Sequence, residues 1–521
     1  TANLTRTDWS EIIENDTIGL SKLTENSNTF SQWIGYGGSI NMFYDINAYN
    51  NIMSDIRIRG RESFSYDSTT YYIHGDTAYN YDSYIETNSS VNKIEWSTEY
   101  TKTFADNEER ELAISFQIGG NLGDDNIDNF KNNIKQYHNA NDEKELESTL
   151  QLDYIHPFWE ENKVEIGGKF INRDREMVYS NSSIFAPQET FNYVQRVIAT
   201  YLSSDWALPA EIGVKAGIRF EHTQISGDWA SGEPTPFNSS YNNILPSMTI
   251  AKEFSDSKSV KISYNKRISR PRTKYINPNT LNTNNFSQTV GNPDLSPSLT
   301  HQVEMGYNSF GKRYQGSYYI YAKHTKDIVE SFITIVDNIS QTKFKNIGTS
   351  TTYGINYFGS LRYDKFNLRA GFNLYQYKGS ATIDREKISL TSNLLYSYNF
   401  GGMYDLGKRW KIESWAFFRS PSQTIQGTST SFSMMSFGVK KSFKNKRGSI
   451  GLHVIEPFNK YKVFSSDMKG DNFTYQSDRH IAFRSFGFNF QYTFGKLNFK
   501  AASKQSNIKN DDVQQESNEE F

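Results

Sequence analysis

The chain has 521 residues, a formal net charge of −2 and no cysteine, which excludes disulfides, thiolate metal sites and a basic nucleic-acid surface. Mean hydropathy is −0.68, and no run reaches the roughly 18 apolar residues of a spanning helix. Yet 15 % of the residues are aromatic, with 34 Tyr and 36 Phe, too many for a disordered chain. A polar average with abundant Tyr and Phe fits a transmembrane barrel with a wet lumen and aromatic girdles.

Residues 1–30 are polar and weakly patterned, and a strand within Asp8–Thr17 is the one element expected there. From residue 31 onward a two-residue alternation recurs. Leu112, Ile114, Phe116 and Ile118 share one face of a predicted strand. Ile212, Val214, Ala216, Ile218 and Phe220 alternate with Glu211, Lys215, Arg219 and Glu221. Val260, Ile262 and Tyr264 follow the rule, as do Phe366, Leu368, Ala370, Phe372 and Leu374, set against Arg369. Charges such as Lys215, Arg219 and Arg369 are costly in a dry core but cheap in a water-filled lumen. That difference separates a membrane barrel from a soluble sandwich.

Short links are predicted near Asn47–Asn51, Ala105–Arg110, Trp159–Asn162, Asp205–Pro209, Ser255–Ser257, Gly311–Lys312, Tyr363–Lys365, Gly401–Lys408 and Lys444–Arg447. Longer polar stretches near 67–90, 123–144, 179–189, 225–240, 269–297, 327–348, 420–431 and 458–480 read as loops. One short link near 379–384 breaks the alternation. Short periplasmic turns opposite long external loops are the outer-membrane pattern, and the count predicts about 20 antiparallel strands in an all-β, up-and-down barrel.

The last strand is the clearest. Phe486, Phe488, Phe490, Tyr492 and Phe494 line one face, and Ser485, Gly487, Asn489, Gln491 and Thr493 line the other. An amphipathic final strand ending in an aromatic is the insertion signal of outer-membrane barrels. The domain reading is therefore an N-terminal segment over 1–30, a barrel over 31–495 and a charged periplasmic tail over 496–521.

Evidence for chemistry is sparse. Asp124, Asp125 and Asp128 have a calcium-loop composition without the EF-hand glycine and glutamate, and read as a solvated loop. His74, His138, His156, His222, His301 and His453 show no metal-ligand spacing. No Gly-x-Ser-x-Gly elbow occurs. Neither a cofactor nor an enzymatic activity is expected. Trp159, Trp206, Trp410 and Trp415 lie near strand ends and read as interfacial anchors.

The strongest motif is Arg267-x-x-Arg270-Pro271, followed by Asn277-Pro278, then Gly291-Asn292-Pro293-x-Leu295-x-Pro297, and finally Glu304-x-Gly306-Tyr307. This series resembles the barrel domain of the TonB-dependent receptor superfamily, in its "outer membrane beta-barrel" branch. The resemblance covers residues 30 to 500, and Ser298 stands where that branch usually has Glu. It implies a barrel of about 22 strands in the full protein, with signal peptide, TonB box and plug upstream of Thr1. The implied function is energy-coupled uptake of a substrate too large for porins, driven by a periplasmic transducer. The barrel would be inserted among lipid and lipopolysaccharide by the barrel-assembly machinery. The alternative is a structural scaffold within an outer-membrane complex. The prolines fix φ and remove donors, so the motif loop has a stiff path; its reading is loop architecture first and ligand contact second.

Overall fold

The computed structural model describes residues 3–494, apart from 18–21, 75–77, 160, 183–187, 233–234, 278–279, 285, 337–338, 384–385, 423 and 471–472, together with 508, 510, 512 and 513. The first strands are β1 (Asn3–Thr17), β2 (Lys22–Asn47), β3 (Asn50–His74), β4 (Tyr79–Phe104) and β5 (Asn107–Lys131). Next come β6 (Ile134–Phe158), β7 (Asn162–Asn181), β8 (Glu189–Leu208), β9 (Ile212–Trp229), β10 (Phe237–Ser255) and β11 (Lys258–Ser269). A one-turn helix α1 (Thr273–Ile276) precedes β12 (Thr280–Asn284), β13 (Ser287–Val290), β14 (Ser298–Phe310) and β15 (Tyr314–Lys326). Then follow β16 (Val329–Val336), β17 (Ile339–Asn346), β18 (Gly348–Tyr363), β19 (Phe366–Ile383), β20 (Glu386–Gly407) and β21 (Trp410–Arg419). The last are β22 (Gly427–Thr428), β23 (Phe432–Ser442), β24 (Gly448–Ile455), β25 (Tyr461–Lys469), β26 (Phe473–Ala482) and β27 (Ser485–Tyr492).

Among the described residues twenty-three strands form one antiparallel sheet, somewhat more than the sequence predicts, and four form a second. From β1 to β21 the main sheet pairs in up-and-down order, stepping over β12, β13, β16 and β17. All nine predicted short links fall at tight connections of this wall. Three departures from the sequence reading concern strands. The stretch 458–480 is not a loop: it forms the β25–β26 hairpin, and β26 pairs with β1. As a result β27 lies beside β24 rather than β26. The stretches 67–90 and 123–144 continue as paired strands, with Asn132 and Asn133 at positive φ in the β5–β6 turn. The strand expected within Asp8–Thr17 is present as β1, and the weakly patterned N-terminus also supplies the first nine residues of β2.

The two faces of the wall differ as a membrane requires. Along β9, Ile218 and Phe220 are exposed outward, while Arg219, Glu221 and Thr223 point into the lumen. Arg219 is ion-paired to Glu221 at 2.6 Å, and Lys215 lies 3.3 Å from Asp205. Lys215 and Arg219, two of the three charges that argued for a wet interior, are thus paired there. On β27, Phe486, Phe488 and Phe490 are 81 %, 67 % and 61 % exposed, the outward face for which lipid is the natural cover. Trp159 stands out at the short-turn end, packed with Phe158 and Trp206.

The apolar core lies at the opposite end. Near the long loops the inner face of β8 and β9 turns apolar, with Phe191, Tyr193, Ile225 and Trp229 buried. Against them pack Ile276 of α1, Leu295, Val329 of β16 and Phe344 of β17. The loops 269–297 and 327–348 therefore fold together into the mouth as the small sheet β12–β13–β17–β16. Burial of such side chains contributes about 1.5–3 kcal/mol each. Tyr275 stacks on Phe344 with ring centroids 4.4 Å apart. Phe344→Ala should cost about 3–5 kcal/mol locally. Limited proteolysis should then cut within 327–348, while the wall keeps its heat-modifiable gel mobility; equal protease resistance in wild type and variant would refute this packing.

Candidate functional site

The motif residues are brought to one region by the end of β11. Pro271 has no backbone N–H, so pairing with β14 stops at Ser269 and the chain turns away from the wall. Arg270 is carried inward and completely buried. Arg267, one turn of pleat earlier, stays exposed on the same strand face as Lys261. Asn277, Gly291 and Asn292 form the seat of α1: Gly291 N–H donates to the Asn277 carbonyl at 3.0 Å, and Asn292 N–H to the Tyr275 carbonyl at 2.6 Å. A side chain at Gly291 would overlap the Asn277 carbonyl, so only glycine fits this approach. Asn292 also donates its carboxamide to the Phe344 carbonyl at 3.0 Å, tying the motif loop to β17. Pro293 follows, and Leu295 and Pro297 are buried. Ser298 donates to the Asp327 carbonyl at 2.8 Å. Pro278 lies outside the described residues.

Downstream, Gly306 lies under the Tyr319 ring, Tyr307 stacks on Tyr318, and Glu304 lines a lumen hollow with Lys261, Tyr321 and Lys323. Phe494 remains fully exposed beside Tyr492.

The chemically richest place is the pocket that receives Arg270. Its guanidinium donates to Glu221 Oε2 at 2.6 Å, to Thr223 Oγ1 at 2.8 Å and to Asp512 Oδ2 at 2.6 Å. Arg173 of β7 reaches the same carboxylate with both terminal nitrogens, at 2.7 and 3.0 Å. Arg173 also donates to Gln195 Oε1 at 2.7 Å and to Glu147. Glu221 is shared with Arg219. Two guanidiniums thus grip one carboxylate in a water-poor pocket, and charge-assisted forks of this kind are the strong class of hydrogen bond. Burial alone would raise the Asp512 carboxyl, but Arg173 and Arg270 outweigh it and hold it well below the usual carboxylate range.

Asp512 belongs to the segment that composition marks as a solvated tail. Its described residues instead touch the lumen wall: Ile508 is buried, and Asn510 donates to Glu147 at 2.7 Å and Thr149 at 2.8 Å. Sequence reasoning singled out Arg270 and put Glu221 on the polar face of its strand, but missed Arg173 and Glu147. The signal was present. Glu145 and Glu147 on β6 stand directly opposite Arg175 and Arg173 on β7, two ion pairs at strand spacing on one face.

The aspartates read as a solvated loop lie on the wall instead. Asp124 and Asp125 accept from Ser90 and Ser89, and Asp128 pairs with Lys135 at 2.6 Å and His138 at 2.7 Å. No cluster that could hold a metal ion occurs among the described residues.

A further hollow of about 570 Å³ lies where β16 meets β22, β25 and β26, lined by Phe332, Arg419, Gln426, Phe432, Phe464 and Phe483. Its size falls in the range of small-molecule pockets. Gln426 closes its rim by exchanging two hydrogen bonds with the Ile333 backbone, at 2.6 and 2.8 Å.

No curated protein matches the sequence. Among solved structures, the copper transporter OprC aligns over 92 % of this chain and 80 % of its own, with TM-score 0.58 and 11 % identity. The ferric yersiniabactin uptake receptor FyuA from Yersinia pestis aligns over 93 % and 80 %, with TM-score 0.56 and 10 % identity. The ferric citrate transporter FecA aligns over 91 % and 78 %, with TM-score 0.55 and 10 % identity. These likenesses bear out, at the level of the fold, the resemblance to TonB-dependent receptor barrels. The model of the outer membrane protein beta-barrel family matches residues 102–492, and with an antiparallel wall greasy outside and charged inside, the chain belongs to that family and to the outer membrane of a Gram-negative bacterium.

Proposed function

We propose that this chain is the barrel of a receptor for energy-coupled uptake across the outer membrane. The observation that carries this reading is the fold shared over nine-tenths of the chain with a copper transporter, a ferric yersiniabactin uptake receptor and a ferric citrate transporter. The mouth fits the role. Long loops folded inward over a polar lumen leave a hollow of receptor-site size beside β16. The motif loop supplies the architecture of that mouth, and ligand contacts come from the residues around it. The protein acts as a transporter rather than an enzyme.

In this reading lipid and lipopolysaccharide cover the aromatic face, the barrel-assembly machinery receives β27, and the short turns and the end of β27 face the periplasm. A periplasmic energy transducer supplies the work. Substrate identity rests with the mouth, where fold alone does not decide it.

The test is photo-crosslinking of the native protein in living cells, with the transducer probed by immunoblot. A crosslink that increases when substrate-rich medium is supplied is the expected outcome. No transducer crosslink, with another outer-membrane protein co-purifying in fixed stoichiometry, would replace uptake by a scaffold role.

A further inference from the structure

We infer that the lumen wall carries a binding site for an extended acidic peptide, and that the chain's own C-terminal segment is its resident ligand. Ile508, Asn510 and Asp512 are spaced by two, so an extended segment presents all three on one side. Asn510 bonds Glu147 and Thr149, Asp512 is gripped by Arg173 and Arg270, and Ile508 is buried. Backbone pairing adds to this. Arg270 and Val513 form a parallel bridge, and Arg270 N–H donates to the Asp512 carbonyl at 2.8 Å. One main-chain bond at this bridge, with side chains read at every second residue, follows the mode of peptide recognition by strand addition.

Charge explains why the site asks for a carboxylate. The wall groups here are Arg173, Arg219 and Arg270 against Glu147 and Glu221. The neighbouring Arg175 is matched by Glu145 at 2.6 Å and Glu143 at 3.6 Å. One cation is therefore left over until Asp512 arrives. Arg173 and Arg270 are both buried with Asp512 in place, so the bound segment shields this pairing from lumen water. The wall residues that form the site come from β6, β7, β9 and the end of β11, all outside the tail itself. The site does not depend on the uptake reading, because it is formed by this chain alone. Any acidic segment with the same spacing, from an adjoining domain or a partner, is a competitor for it.

The absence of cysteine makes the test direct. In the full-length chain, Thr149 and Asn510 are replaced together (T149C/N510C) and joined with a short bismaleimide. The probe is a synthetic peptide of residues 505–516. Linking is expected in the folded barrel, and Asp512→Asn should slow it by about tenfold or more, the loss of hydrogen bonds to a charged group. Excess peptide should suppress linking, and the same peptide with Asp512→Asn should not. Asp512 lies outside the wall, so this variant leaves folding intact, as heat-modifiable mobility will show. The proposal is overturned if a folded T149C/N510C barrel does not link, or if linking is indifferent to Asp512→Asn. A peptide that fails to compete while its Asn form fails equally would also sink it.

Discussion

Replacing Arg270 with methionine should cost about 3–5 kcal/mol, the loss expected when one partner of a buried ion pair is removed. The guanidinium is wholly buried and makes three side-chain hydrogen bonds, to Glu221, Thr223 and Asp512. With methionine in its place, Glu221 stays in the wall, only 3 % exposed, and keeps the partly exposed Arg219 as its cation. Asp512 has an alternative, since the segment that carries it can move out to water. Most of the cost therefore falls on Glu221. Changing both residues together, Arg270→Met with Glu221→Leu, removes the stranded carboxylate and should recover more than half of the loss. Arg270→Lys keeps the charge but not the fork, and should fall between. Unfolding in urea, followed by gel mobility in detergent micelles, reads all three. Equal midpoints for wild type and Arg270→Met would mean that the pocket is hydrated and the pair screened.

Most of the wall was legible in the sequence because lipid and water impose opposite demands on alternate residues. In β9, Ile218 and Phe220 face out and Arg219 and Glu221 face in, as the alternation requires. The pattern fades where the demand fades. The upper halves of β3 and β5 carry polar residues on both faces, so Asp67 and Ser68, and likewise Asp124 and Asp125, lie in paired strands without the alternation. Such stretches look like loops. The β25–β26 hairpin was hidden for a similar reason: Lys462, Ser465, Ser466 and Asp467 interrupt Tyr461, Val463 and Phe464 too often for a clean period.

The motif loop was located correctly, but its purpose depends on contacts between distant parts of the chain. Asn292 meets the Phe344 carbonyl 52 positions on, and Arg270 meets Asp512 across 242. Nothing local distinguishes Asp512 from Asp511 beside it. What the sequence does hold is the facing pair of charged runs on β6 and β7. Glu145 and Glu147 against Arg173 and Arg175 make a ladder that a strand-pairing argument can find once the register is known.

The contrast between the two faces of β27 predicts the second large effect. Phe490→Lys should prevent accumulation of folded protein in the outer membrane, whereas Asn489→Lys, one residue away, should leave it near wild-type level. Phe490 is 61 % exposed on the side shared by Phe486 and Phe488, and its neighbour on β24 is Ile450. A lysine on a lipid-facing position costs about 2–4 kcal/mol at the bilayer midplane. It also breaks the row of aromatics that we propose marks the final strand for insertion, so a kinetic failure would add to the equilibrium cost. Asn489 points to the other face, opposite Gly451, where the wall already tolerates charges. A lysine there meets water and an open approach over glycine. Membrane fractionation with heat-modifiable mobility separates inserted barrel from aggregate. If both lysines are tolerated, or both are rejected, the aromatic row does not face lipid and β27 is not the strand that is read at insertion. If only Phe490→Lys fails, the alternation of this one strand is enough to place its two faces.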